Sequence, residues 1–180
     1  LEGLEEKAIK TGASKIYKAL EQLKNSGELN AALSVTGCIG MCYLEPIVDI
    51  YTENGLIRLV CVKESDVQAI AEFVKTGEIS NIEELIVSDA DKHFLESQTR
   101  IALRGCGVIN PDEIDDYIAN GGYTALKKAI TEMTPESVIN EIKVAGLAGR
   151  GGAGFPTWFK WNAARSSQGE EKYLICNADE

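Results

Sequence analysis

Read for the spacing of its apolar side chains, the chain alternates between helical, strand-like and glycine-punctuated stretches. Between Ser14 and Lys24, Ile16, Tyr17, Ala19, Leu20 and Leu23 recur at the intervals of a helix face, and Asn25-Ser26-Gly27 ends the pattern. Leu29 to Val35 reads as a strand leading into Thr36-Gly37-Cys38. Pro46 to Thr52 and Leu56 to Val62 are two further strand-like runs joined at Asn54-Gly55, a pair that readily supplies a tight hairpin turn. Ser65-Asp66 then caps a helix carrying Val67, Ile70, Ala71, Phe73 and Val74, which Thr76-Gly77 stops. Helix, strand, hairpin and helix predict a small α+β unit over residues 1–78.

Residues 79–97 are polar apart from Ile82, Leu85, Ile86 and Val87, and read as a linker. A second unit is expected over residues 98–180. Asn110-Pro111-Asp112-Glu113 offers an Asn cap, Pro at the first helical position and Glu at the capping-box position. Gly121-Gly122 stops that helix, Tyr123 to Glu132 supplies another, and Thr134-Pro135-Glu136 opens a third with Val138, Ile139 and Ile142 on one face. No internal repeat is evident.

Composition narrows the classes. The 180 residues suffice for one ordinary domain or two small ones, and the formal charge of -10 opposes a nucleic-acid surface, which needs clustered Lys and Arg. No apolar run approaches the ~20 residues of a spanning helix, and the start, Leu1-Glu2-Gly3, lacks signal-peptide order. With no initiator Met, a piece of something longer is expected. Five cysteines make a disulfide framework a poor reading and leave free thiols or metal ligands. The one histidine, His93, sits in a polar stretch and reads as a surface residue, which leaves zinc-hydrolase and Ser-His-Asp chemistry little support.

The most informative stretch runs from Gly146 to Trp161, with five glycines between Gly146 and Gly154. Such a backbone takes positive φ, approaches a ligand closely and presents N–H groups in a concave nest suited to anions. Pro156 sits where a helix should start, and Thr157 to Arg165 can continue it, so a helix N-terminus faces the loop's ligand. Arg150 and Lys160 flank the loop with positive charge. The set suits phosphate. Gly149-x-Gly151-x-x-Gly154 matches the dinucleotide fingerprint literally, but Pro135 to Lys143 before it reads as helix where that fingerprint needs a strand. Gly154-Phe155-Pro156 likewise lacks the G-K-[ST] of the triphosphatase loop. Taken alone, the glycines also allow a plain tight loop between packed elements. Further on, Tyr173 to Cys176 reads as a short buried strand with Asn177, Asp179 and Glu180 just past its end, suited to hydrogen bonding ring edges and ribitol hydroxyls.

Together, Gly149-Arg150-Gly151-Gly152-Ala153-Gly154-Phe155-Pro156-Thr157 with Lys160-Trp161, and Cys176-Asn177-Ala178-Asp179-Glu180, closely resemble one signature. It is that of the flavin-carrying, NADH-binding subunit of respiratory complex I and its relatives in NAD-linked and electron-bifurcating hydrogenases. Gln98-Thr99-Arg100-Ile101, Asn110-Pro111, Gly121-Gly122-Tyr123 and Thr134-Pro135-Glu136 resemble the hydrogenase branch. The resemblance implies that Gly149, Arg150, Gly151, Gly152, Ala153, Gly154 and Lys160 cradle FMN, that the Phe155 region receives the nicotinamide, and that Asn177, Asp179 and Glu180 hold the flavin. The reaction it implies is hydride transfer from NADH to FMN, then single electrons to iron–sulfur clusters. Two positions depart from the pattern: Ala148 stands where the family usually has Arg, and Trp158 where it usually has Gly.

Thr36-Gly37-Cys38-Ile39-Gly40-Met41-Cys42-Tyr43-Leu44-Glu45-Pro46 similarly looks like the second half of a thioredoxin-like [2Fe–2S] ferredoxin domain, which implies Cys38 and Cys42 as metal ligands. Such a cluster takes four thiolates as a rule, and the family's first pair has no counterpart before Gly12-Ala13-Ser14. Cys61, in a hairpin strand, and Cys106 and Cys176 read as buried thiols. The expected fold is therefore α+β: an incomplete thioredoxin-like domain followed by the helical start of an α/β flavin-binding domain. The expected function is that of the front part of an NADH dehydrogenase flavoprotein subunit, inactive by itself and holding FMN weakly. It would be cytoplasmic, peripheral to the membrane only through the partner subunits of its electron-transfer complex, and would not insert directly. The alternative is a non-catalytic docking module of such a complex; a third reading is an electron carrier using the ferredoxin-like unit alone.

Overall fold

The first helix, α1 (Ala13–Asn25), follows Gly12, whose φ of 80° turns the chain into it. It buries Ile16 and Leu20, one turn apart on the same face. It ends as the pattern predicts: Ser26 N–H donates to Gln22 O, and Gly27, at φ 82°, reverses the chain. A computed structural model describes residues 12–169 together with 171, 173 and 175.

Two antiparallel strands, β1 (Val48–Thr52) and β2 (Gly55–Leu59), pair in a register that runs from Val48 opposite Leu59 to Thr52 opposite Gly55. The turn is therefore Glu53-Asn54, with Gly55, at φ 120°, as the first residue of β2. Thr52 Oγ1 accepts from Asn54 N–H at 3.2 Å and donates to Gly55 O at 3.0 Å, which closes the turn. Across the strands, Arg58 donates from Nε and Nη2 to the two Asp49 carboxylate oxygens, both at 2.7 Å, with the two side chains mostly shielded from water. The second helix, α2 (Val67–Thr76), buries Val67, Ile70, Ala71 and Phe73 and is closed by Gly77 in the left-handed region.

Ile16, Leu20, Leu59, Ile70 and Phe73 meet in one core, to which Leu29 adds its side chain from the segment after α1. Each fully buried aliphatic side chain there contributes roughly 1.5–3 kcal/mol. Leu29, Ala31 and Leu33 do face this core with the alternation of a strand, but residues 29–35 have no strand partner among the described residues. Alternation settles which face turns inward; a ladder also needs a neighbour with free backbone groups.

Residues 79–97 pack onto the hairpin. Ile82 is wholly buried in the same core, Val60 N–H donates to Leu85 O, and Val87 N–H donates to Arg58 O. Ile86 bridges Leu59 as an added antiparallel rung. Two 3₁₀ turns (Ile79–Asn81 and Glu83–Leu85) lead into α3 (Asp89–Glu96), where the Ser88 hydroxyl caps by accepting from Asp91 N–H. The first compact unit extends to Tyr117, well past the stretch read as a linker. That stretch's few apolar residues are too closely grouped to show a period, yet Ile82 and Ile86 supply the burial that holds it.

The boundary between the two units falls inside α4 (Ile114–Ala119), which starts later than the Asn110 signal suggests. Asn110 instead makes a local turn, its side-chain oxygen accepting from Asp112 N–H, while Asp116 accepts from Asn110 N–H. The second unit, from Ile118 onward, holds α5 (Thr124–Glu132), α6 (Pro135–Val144) and α7 (Thr157–Ser166). Thr134 caps α6 by accepting from Ser137 N–H, and the Ser137 hydroxyl accepts from Thr134 N–H. The two bonds form a reciprocal capping box between Thr134 and Ser137. Within this unit α6 and α7 lie together, joined by the Arg165–Glu136 ion pair, and no described residue is fully buried. The architecture is α+β with a single two-stranded sheet among the described residues.

Candidate functional site

The glycine-rich loop begins where α6 ends. Gly146, at φ 65°, terminates the helix, and Gly146 N–H donates to Lys143 O. The chain then runs outward through Leu147-Ala148 and returns through Phe155-Pro156. Gly149 N–H donates to Phe155 O at 2.8 Å, Thr157 N–H donates to Leu147 O at 3.0 Å, and Ala148 pairs with Pro156 as an isolated bridge. These contacts pinch the loop shut at its base and deliver it straight into the first turn of α7.

Beyond the pinch, residues 150–155 are exposed. Among the backbone hydrogen bonds of the described residues, the N–H groups of Arg150, Gly151, Gly152, Ala153 and Gly154 have no carbonyl partner. Gly152 and Gly154 adopt φ of 96° and 59°, and a Cβ at either would meet nothing within 4 Å, so their need for glycine is conformational. The loop is thus neither covered by its own side chains nor consumed by its own backbone.

Aromatic residues flank it. Phe155 meets Phe159 edge-on with ring centroids 5.7 Å apart, and Trp158 meets Phe159 in the same manner at 5.7 Å. Lys160 Nζ lies 5.5 Å from the Phe155 ring centroid, and Lys143 Nζ lies 4.6 Å from that of Trp158. Trp158 therefore packs along α7 and holds a cation, Lys143, that the sequence reading left out; its place in the last turn of a helix next to the loop was the available signal. Arg150 is exposed on the loop. Asn177, Asp179 and Glu180, with Cys176, lie outside the described residues; of the strand expected over Tyr173–Cys176 only Tyr173 and Ile175 are described, and both are exposed.

The cysteine loop belongs to the first unit. Ile39, Met41 and Leu44 are buried together, with Ile47, Val60, Val87 and Leu95 against them, so the alternate residues Cys38, Gly40 and Cys42 turn outward. A 3₁₀ turn (Cys42–Leu44) then swings Glu45 toward the sulfurs. Cys38 Sγ and Cys42 Sγ are 3.7 Å apart, and their sulfurs and a Glu45 carboxylate oxygen all lie within 4.8 Å of one another. Gly40 N–H donates to Cys38 Sγ at 3.3 Å. Although Cys38 as a residue is exposed, partial desolvation of its thiol, reinforced by the Glu45 carboxylate, pushes it up to about 11 against the opposing pull of Gly40 N–H.

Distant residues seat this loop. Arg100 donates to Ile39 O at 2.7 Å and to Cys106 O at 3.3 Å, and Gly107 N–H donates to Thr36 Oγ1 at 2.9 Å. Cys61 N–H donates to Leu44 O at 2.7 Å. Cys61 is not the buried strand thiol expected from sequence: β2 ends at Leu59, and Cys61 is exposed at φ 52°, its backbone recruited by the cysteine loop. Cys106 is half-buried, near Gly37. Glu45 was not foreseen as a member of the group; the Cys-x3-Cys-x2-Glu spacing was the signal that could have found it. A [2Fe–2S] cluster needs four thiolates as a rule; among the described residues Cys38 and Cys42 bring two together, with Glu45 beside them.

Residues 142–180 match the family described as the Nuo51 FMN-binding domain. The chain is 54% identical over 85 residues to the NADP-reducing hydrogenase subunit HndC of Solidesulfovibrio fructosivorans, covering 47% of this chain and 17% of that protein. It is 52% identical over 87 residues to an NADH-quinone oxidoreductase subunit of Aquifex aeolicus, 48% of this chain and 20% of that protein. The Escherichia coli protein of the same name is 44% identical over 71 residues, 39% of this chain and 16% of that protein. The chain thus spans a fifth or less of the length of these relatives. The likeness to the flavin-carrying subunit read from the glycine-rich signature is borne out by these matches.

Proposed function

We propose that this chain contributes the phosphate-binding end of a flavin site in an NADH-oxidising flavoprotein subunit. The observation that carries the reading is the exposed loop pinned at Gly149 and Phe155, whose N–H groups from Arg150 to Gly154 have no carbonyl partner among the described residues, at the start of α7. The phosphate end of FMN fits such a loop: N–H groups converge on its oxygens, and Arg150 and Lys160 offset locally the chain's charge of -10. Phe155 offers an apolar face beside the loop, suited to the flat nicotinamide. Asn177, Asp179 and Glu180 would hydrogen-bond the flavin's ring edge and ribitol. When bound, the flavin accepts hydride from NADH and releases electrons singly. The chain's own part is to bind, orient and neutralise. The other subunits of an electron-transfer complex are the partners this reading requires, as the names of the relatives suggest.

The first unit is read as a thioredoxin-like domain of ferredoxin type, a reading its helix, hairpin and helix support. A docking role for the second unit is favoured by one observation: apolar Ile130 and Val144 are about three-quarters exposed, so its helices offer faces for covering.

The test compares FMN with riboflavin, which differs only in lacking the phosphate, in fluorescence-quenching titrations of the purified chain. Weak binding is expected, with FMN preferred by at least ~10-fold, since charge-assisted hydrogen bonds contribute roughly 1.5–3 kcal/mol each. Gly152→Val should remove the preference. Equal affinities for the two flavins, or a Gly152→Val variant that still discriminates, would refute the phosphate role and leave docking as the better reading.

A further inference from the structure

We propose that Lys143 is a third cation of the flavin phosphate site and that the Trp158 ring positions it; the inference rests on the flavin reading. The ring arrangement carries the argument. Phe159 stands between Phe155 and Trp158, each ring edge-on to it with centroids 5.7 Å apart. A lysine ammonium lies over each outer ring, Lys160 Nζ 5.5 Å from the Phe155 centroid and Lys143 Nζ 4.6 Å from that of Trp158. Phe155 closes the glycine-rich loop and Trp158 belongs to the first turn of α7, so both cations attend the end of the helix that opens from the loop.

What these lysines touch also matters. The chain carries 28 acidic residues against 18 basic ones, yet among the described residues no carboxylate pairs with Lys143 or Lys160, whereas Arg165 pairs with Glu136. An ion pair cancels a cation's charge toward any third group, while a ring face steadies the ammonium and leaves its charge available to an anion. Lys143 is exposed in the last turn of α6, where an untethered lysine has many rotamers open to it. Half-buried Trp158 holds that side chain against the first turn of α7. Even at ~10 Å in water, one positive charge favours a phosphate dianion by ~4-fold in affinity, and salt weakens the gain, since screening acts over ~10 Å at 0.1 M. Riboflavin, which has no phosphate, gains nothing from it. Lys143 also complements the C-terminal end of α6, but that role would act on both flavins alike.

The test measures the ratio of FMN to riboflavin affinity for the full chain, by flavin-fluorescence titration at ~10 mM salt. Lys143→Gln should lower that ratio ~4-fold with riboflavin affinity kept, and the difference from the parent should vanish at ~1 M salt. Lys143→Arg, which keeps a cation for the ring, should hold the parent ratio. Trp158→Leu should lower the ratio as Lys143→Gln does, and should add nothing in the Lys143→Gln background. Lys75→Gln, the same change of net charge on α2, should leave the ratio at the parent's. If the parent prefers FMN and a folded Lys143→Gln variant keeps the full preference, this inference falls and the flavin reading stands. Additive effects of the Lys143 and Trp158 changes, or a Lys143→Arg variant that loses as much as Lys143→Gln, would overturn it in the same way. Equal affinities of the parent for the two flavins would sink both. Should Trp158→Leu unfold the chain, as circular dichroism would show, Lys143→Gln and Lys143→Arg decide.

Discussion

Replacing Gly107 with Ala tests how the cysteine loop is seated. Gly107 has φ of 80°, and a Cβ built on it would lie 2.6 Å from Ile39 Cγ2. Carbon atoms pack best at ~3.5–4.0 Å, so Ile39 or the backbone would have to move by ~1 Å. Overpacking of this kind costs roughly 1–3 kcal/mol, and an L-residue in the left-handed region adds ~1–2 kcal/mol. The expected loss is therefore ~2–5 kcal/mol, a large part of what a small domain has. Ile39 is only 7% exposed and leads directly from Cys38, so the strain would be felt at the sulfur pair. Urea unfolding followed by circular dichroism measures the cost. A double-mutant cycle separates its two parts: in an Ile39→Ala background the clashing methyl is gone, and Gly107→Ala should cost only the backbone part, ~1–2 kcal/mol. A cost below ~0.5 kcal/mol, or an equal cost in both backgrounds, would refute the close approach of residues 107 and 39.

Further expectations concern residues 79–97, from the two 3₁₀ turns through α3. Ile82→Ala should destabilise the chain by ~2–5 kcal/mol, as deletion of a fully buried side chain does; a change near zero in the unfolding midpoint would restore that segment to linker status. The Asp91 carboxyl is held below the usual carboxylate range first by the Ser88 hydroxyl and then by Tyr43, whose hydroxyl donates to it at 2.5 Å. Because its folded-state value is depressed, its contribution is present above the unfolded carboxylate value and is lost as pH falls through the lower, folded one. Tyr43→Phe should move the Asp91 titration upward in carbon-detected NMR, and an unmoved curve would remove Tyr43 from that role.

The elements that were legible in sequence are those with local causes. The ends of α1 and α2 follow from Gly27 and Gly77 in left-handed conformations, and the start of α6 from the Thr134 cap. The hairpin was found but its turn was misplaced by one residue, since Asn-Gly can serve at the turn centre or straddle its exit. Three readings failed for a common reason. Leu29–Val35 found no partner strand among the described residues, Cys61 left the strand to bond Leu44, and residues 79–97 joined the core. Each outcome was decided by a residue far away in the chain.

By itself, the sequence determined which faces turn inward, where helices stop, and that residues 149–154 make a glycine-rich loop. Those follow from side-chain period and from the φ range open to glycine, both properties of a few neighbouring residues. Only the tertiary structure decided that the loop's base closes while residues 150–155 stay exposed, and that Cys38, Cys42 and Glu45 converge. The first needs Gly149 to meet Phe155, and the second needs Arg100 and Cys61 to hold the loop from Ile39 to Leu44. Such contacts set the backbone path from outside the segment, and no local pattern encodes them.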